Sequence, residues 1–351
     1  MGGLIRIPGM SEPGSIIVSS PPRGWIRDFD LVVLDGRLVL VGTPDRSHRA
    51  CTWDPMADRW TEHRLDNPWL EESDGDYTEL WALGAAVVDG RIVIGGGGDH
   101  QGFAMWDLET GQVRLSAQEG GMGSAVRADF GGRSMLVVGF PGTWSLQLWD
   151  PSVAEPDDDD ASDDSELDQP SPYDLLVEVE ELCSQSYASS AVAAGMLGDR
   201  PVVVAGGNDG GVLVWDIDEQ CLLAEFDDLD QELCDFALAA VDGRTHVVAA
   251  GEHSLVRGDP ETGKWAEPFT VPSGRISCLD AGTVNDRAIA VTGAEDGTIC
   301  VWDLTQHRLL GQPFREHSGE VYGVRLTDLK HRPVVISTAH GDSVRVWELP
   351  L

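Results

Sequence analysis

A short mark recurs along the chain and constrains its fold more than any other feature. It reads "RACTWDP" around Trp53, "FAMWDLETG" around Trp106, "LQLWDPS" around Trp149, "VLVWDIDEQ" around Trp215, "ICVWDLTQHRLL" around Trp302 and "VRVWELP" around Trp347. A degenerate copy, "LVRGDPETGKW", has Gly258 where the tryptophan would stand. The intervals between marks are 53, 43, 66, 43, 44 and 45 residues, so four are nearly equal and two carry insertions. Ahead of the marks come apolar runs ending in Gly-rich turns, such as "RIVIGGGGDHQG", "PVVVAGGNDGG" and "AIAVTGAEDGT". Each unit reads as four short strands joined by tight turns. One such sheet is apolar on both faces and unstable alone; stacking seven around an axis buries both.

With this repeat the chain resembles the WD-repeat (Trp-Asp repeat) family over nearly its whole length. The resemblance implies an all-β fold, a seven-bladed β-propeller of four-stranded antiparallel blades forming one domain over residues 1–351. Only three residues follow Glu348 of the last mark, so blade seven lacks an outer strand. An open ring would expose two sheet edges. The segment "SIIVSS", Ser15 to Ser20, lies about ten residues before Ile26 and is expected to close the ring as an N-terminal strand. Family blades carry a buried hydrogen-bond chain of His, Asp, Ser or Thr, and Trp. Blade seven offers His317, Ser337 and Trp347 but has Gly341-Asp342 where Asp-Gly is expected, and blade six offers Thr292, Asp296 and Trp302 without the histidine. Partial networks are the expectation for both.

Charge narrows the function. The chain holds 60 acidic and 24 basic side chains, a formal net charge of -36. So acidic a surface repels phosphate, which argues against nucleic acid and anionic membranes and fits a basic partner. Only Lys264 and Lys330 are lysines; a GC-rich bacterial genome or a salt-adapted proteome accounts for that. No stretch has a signal-peptide pattern or 18 consecutive apolar residues, which places the protein in the cytoplasm as an expectation. The six cysteines lack paired spacing and are expected to be reduced core thiols.

The two insertions differ in kind. "AEPDDDDASDDSELDQPSP", residues 154–172, is too acidic to bury a core and is expected to be a disordered loop on the bottom face. It serves as a solvated spacer, a tether for a basic partner or a loose Ca²⁺ site. "DNPWLEESDGDY", Asp66 to Tyr77, opens onto the top face, where Trp69 is either a lid or a side chain folded back on blade two.

Catalytic signatures are missing from the sequence. "GDPETGKW" follows the phosphate-loop pattern from Gly258 to Lys264, but Trp265 stands where Ser or Thr would hold Mg²⁺, and no helix follows. His48, His100, His253 and His340 all fall in turns that open on the top face, but on blades one, two, five and seven, too far round the ring to meet at one metal. Neither a metal nor a cofactor is expected.

In the WD-repeat family, residues at the start of each inner strand commonly contact a bound peptide or protein. Here those positions hold Trp25, Arg27, Glu79, Trp81, Glu232, Arg275, Glu320 and Tyr322, with Trp144 replacing a turn glycine in blade three. Aromatics and arginine amid acids suit an interface hot spot. The alternative is packing between blades. The expected function is a non-catalytic interaction scaffold that binds a basic protein or peptide on the top face. The competing expectation is a small-molecule or enzymatic site in the channel mouth, built from Asp28, Asp235, His100, His253 and His340 together with Arg27, Glu79, Arg275 and Glu320, since propellers also host enzymes.

Overall fold

The structure, a computed structural model, describes residues 15–45, 47–68, 79–98, 102–117, 121–140, 145–153, 189–207, 211–226, 229–272 and 274–351. Among them every regular element is a β-strand, arranged in seven separate antiparallel sheets. The inner strands are Ile26–Leu34, Ala82–Val88, Ser124–Phe130, Ser189–Leu197, Leu233–Val241, Ile276–Val284 and Val321–Leu329, for blades one to seven. Each packs against the inner strands of the blades before and after it, and that of blade seven packs against blade one, so the sheets form a closed ring around a channel. This is the all-β, seven-bladed β-propeller. Blade three shows three strands among the described residues, and the outer strand of blade five is split into Lys264–Trp265 and Phe269–Thr270.

Turn chemistry sets the strand lengths. In blades one, two and five the inner strand returns through Asp-Gly with both residues at positive φ, as at Asp35 (50°) and Gly36 (72°). A two-residue turn of that hand matches the twist of a hairpin. Blade seven makes the same turn with Lys330 (55°) and His331 (61°) and has no glycine to ease it.

The N-terminal strand closes the ring as expected. Ser15–Ser19 pairs antiparallel with Val344–Glu348, from Ser15 opposite Trp347 to Ser19 opposite Val344. Arg345 holds Glu316 at 2.9 Å, and Glu316 also accepts the Ser15 hydroxyl. At the other end Ser19 donates to Asp58 of blade one.

The marks work as inter-blade wedges. Trp53, Trp106, Trp149, Trp302 and Trp347 are buried, whereas Trp215 is half-buried. Blade five lacks its tryptophan without leaving a void. Trp265, directly across the ladder from Gly258, lays its ring 4.5 Å from that of Phe226, and a β-carbon at Gly258 would meet Phe226 at 2.3 Å. The indole has moved to the facing strand.

Blade seven departs from the partial network expected of it. His317 Nδ1 pairs with Asp342 (2.9 Å) and Nε2 with the Ser337 hydroxyl (2.8 Å), while Trp347 Nε1 donates to the same hydroxyl (2.7 Å). The turn simply presents Asp342 one residue later. In blade six, where no histidine stands, Trp302 donates to Thr292 (3.0 Å) and Asp296 accepts the Thr298 N–H.

A further regularity lies on the bottom face. The second strand of every blade begins with arginine: Arg37, Arg91, Arg133, Arg200, Arg244, Arg287 and Arg332. Five of these reach the acid that follows the mark, Arg91 to Asp107, Arg133 to Asp150, Arg244 to Asp259, Arg287 to Asp303 and Arg332 to Glu348.

Candidate functional site

The top face is built from the turns between second and third strands and from the chain entering each inner strand. In blades one, four, five, six and seven the first ladder step of the inner strand skips a residue, as between Ile26 and Asp28 or Val321 and Gly323. Such a bulge leaves the skipped residue unpaired and re-aims its side chain. Arg27 and Tyr322 are two of the skipped residues, which is why two large polar side chains sit together at the rim.

From blade two to blade seven the face is aromatic, with Arg27 among the rings. The Arg27 guanidinium lies 4.5 Å from the Trp81 ring centre and 3.8 Å from Asp45. Trp81 Nε1 donates to Glu79 (3.2 Å). On blade seven, His340 sits between two aromatics, 4.5 Å from Trp25 and 5.8 Å from an edge-on Tyr322. Burial and Glu320 raise the Tyr322 phenol above its ordinary range, against Arg27.

From blade seven to blade five the face is acidic. Arg275 reaches three carboxylates, Glu232 at 2.9 Å, Glu252 at 3.2 Å and Glu295 at 3.8 Å. Glu320 lies beside this group; burial and Glu295 raise its carboxyl, and His340 and Arg275 oppose them. One guanidinium therefore pairs with three carboxylates, with a fourth nearby. His253 is nearly free of contact, 83% exposed and 4.0 Å from Glu252.

Asp28 and Asp235 lie deeper, in the channel wall, and both of their oxygens are engaged. Asp28 accepts the N–H of Phe29 (2.8 Å) and, from blade two, that of Leu83 (2.9 Å). Asp235 accepts those of Phe236 (2.9 Å) and, from blade six, Leu279 (2.7 Å). Sequence reasoning missed two further members two residue positions lower: Asp30 joins blade one to Ala85 of blade two (3.0 Å), and Asp280 joins blade six to Leu326 of blade seven (2.6 Å). The signal was present, because Asp30 and Asp280 stand five residues before Asp35 and Asn285, the first residues of their turns. Arg325 from blade seven and Arg127 from blade three, 3.7 Å from Asp30, supply the positive charge. Burial works against the Arg325 cation, but Asp28, Asp280, Asp30 and Asp235 outweigh it and move its pKa up. Burial raises the carboxyls of Asp28 and Asp280 as well.

The proposed residues thus divide by depth. Trp25, Arg27, Glu79, Trp81, Glu232, Arg275, Glu320 and Tyr322 are on one face with His253 and His340; Asp28 and Asp235 belong to the wall beneath it. Trp69, Trp144, His100 and the 154–172 insertion lie outside the described residues. No group of three or more His, Cys, Asp or Glu among the described residues is arranged to hold a metal ion. Of the described cysteines, Cys51, Cys278 and Cys300 are buried and Cys234 is half-buried, whereas Cys221 is exposed rather than in the core. No helix among the described residues is long and apolar enough to cross a membrane.

A family model, the WD domain G-beta repeat, matches residues 267–303. The match begins in the outer strand of blade five and ends with the third strand of blade six, so the repeat is offset by one strand from the blade. Curated proteins yield no match to the chain. The offset repeat, the repeated mark and the ring of seven sheets agree, and together they support a WD-repeat β-propeller.

Proposed function

We propose that this propeller is a non-catalytic interaction scaffold that takes a basic segment of a protein partner on its top face. WD-repeat propellers commonly serve as protein-interaction scaffolds, and the observation that supports the finer reading is the carboxylate excess around Arg275. Glu232, Glu252 and Glu295 share one guanidinium and Glu320 lies beside them, next to an aromatic shelf of Trp25, His340 and Tyr322. A second cation entering there meets unneutralised charge and a stacking surface together. Arg275, held by three carboxylates, organises the acids and is not itself the anchor.

The test is titration with a fluorescent Arg/Lys-rich peptide at low and near-physiological salt. Replacing Glu252, Glu295 and Glu320 by glutamine is expected to weaken binding by about tenfold or more. Removing equal charge on the bottom face, with Asp199→Asn, Asp218→Asn and Glu219→Gln, is expected to leave it within about twofold. Equal losses from both triple variants would show mere attraction to an acidic protein and sink the proposal. Arg275→Ala is expected to tighten binding.

A further inference from the structure

Among the described residues neighbouring blades share no ladder hydrogen bonds, because each blade is a separate sheet. At the channel the seams are stitched by side chains. Asp235 holds its own strand through Phe236 and the next blade through Leu279, one carboxylate oxygen to each. Asp280 repeats the arrangement from blade six to Leu326 of blade seven. Only the ionised group does this fully: a carboxylate accepts at both oxygens, whereas a carboxylic acid keeps one good acceptor and turns the other oxygen into a donor. Backbone N–H groups cannot receive that proton.

We propose that Asp235 is a proton-operated clasp between blades five and six, closed on the Leu279 amide as carboxylate and loosened as carboxylic acid. The surroundings support titration in a useful range. Burial pushes the Asp235 carboxyl up to about 7, against the pull of the Leu279 amide, Arg325 and the Phe236 amide. Few other groups face it. On its own strand stands Cys234, whose thiol burial raises to about 12. The inner strand of blade six presents Cys278, also raised by burial, and Asp280; blade seven presents Arg325. The inner strand of blade four, Ser189–Leu197, carries no titratable side chain. Second strands of blades four, five and six bear Arg200, Arg244 with His246, and Arg287, all toward their bottom ends, His246 opposite Ala239. The thiols stay protonated and Arg325 stays cationic near neutrality, so Asp235 is the group whose charge changes there.

The clasp lies under the face described above. Glu232 is three residues before Asp235, Arg275 four before Leu279, and those two side chains form the 2.9 Å ion pair across the same seam. Proton uptake in the channel thereby reaches the rim. The inference does not depend on any partner.

NMR of the isotope-labelled full chain, from about pH 5.5 to about pH 8.5, tests it. The Asp235 carboxyl carbon and the Leu279 and Phe236 amides are expected to titrate with one shared midpoint near 7. In Asp235→Asn the two amides are expected to stay flat. A carboxyl that does not titrate in this window, or a Leu279 shift equal in wild type and variant, overturns the clasp. Should the variant not fold, the wild type decides, because a carboxyl midpoint separated from the amide midpoints also overturns it.

Discussion

Trp60 donates its indole N–H to the Ser19 hydroxyl at 2.9 Å, tying the strand that completes blade seven to the outer strand of blade one. Ser19 passes the bond on to Asp58, which also accepts the Trp53 indole at 3.2 Å. The closing strand is therefore anchored on both flanks of the seam.

Deletion of residues 1–20 removes this strand and leaves the edge of Val344–Glu348 unpaired. The expected fall in Tm is on the order of 10 °C, measured by thermal unfolding. An unchanged melt would show that pairing with Val344–Glu348 contributes nothing to ring closure.

His317→Ala empties the centre of the blade-seven network and takes one partner each from the Ser337 hydroxyl and the Asp342 carboxylate, which keep the Trp347 indole and the Ser318 and Ser343 amides. The expected cost is about 1–3 kcal/mol in chemical denaturation. Burial holds the His317 pKa below its ordinary value, against Asp342. The native state thus resists its protonation, so the wild type is expected to lose stability as pH falls below about 6.5, and the variant to lose less. A variant with the wild-type pH profile would contradict this.

Restoring the family residue in blade five should harm the protein. Gly258→Trp places an indole where Phe226 and Trp265 already pack, and overpacking of this kind costs about 1–3 kcal/mol. Combining it with Trp265→Ala should recover part of the loss. If the single variant is more stable than wild type, the space has been misjudged.

The bottom-face arginines should differ in worth. Arg287 covers Asp303, which is 2% exposed, so Arg287→Ala leaves a buried carboxylate short of a partner at about 1–3 kcal/mol. Arg332 and Glu348 are 66% and 47% exposed, and Arg332→Ala is expected to cost less than about 1 kcal/mol. Equal losses in urea unfolding would argue against burial as the deciding factor.

Much of the architecture was legible because it repeats. Seven marks, four of their six intervals nearly equal, specify blade number, strand order and, from the offset of "SIIVSS" to Ile26, the closing strand, since each is a local pattern multiplied by a ring. The top-face residues were legible for the same reason: Arg27 and Tyr322 occupy equivalent places at the start of inner strands. What escaped was pairing between repeats. Asp342 enters the blade-seven network one residue late, a shift that a turn absorbs but a pattern match does not. Trp265 replaces the missing tryptophan from the opposite strand, a substitution visible only once the ladder places it across from Gly258.

Sequence by itself determined the ring, its closure and the acidic character of its surface, because these follow from periodicity and composition. Tertiary structure alone decided which charges meet. Glu232, Glu252 and Glu295 gather on Arg275 from two blades, and Asp235 reaches Leu279 across a seam of more than forty residues of chain. Such contacts depend on how adjacent blades pack and on the burial that packing imposes, and no single repeat contains either.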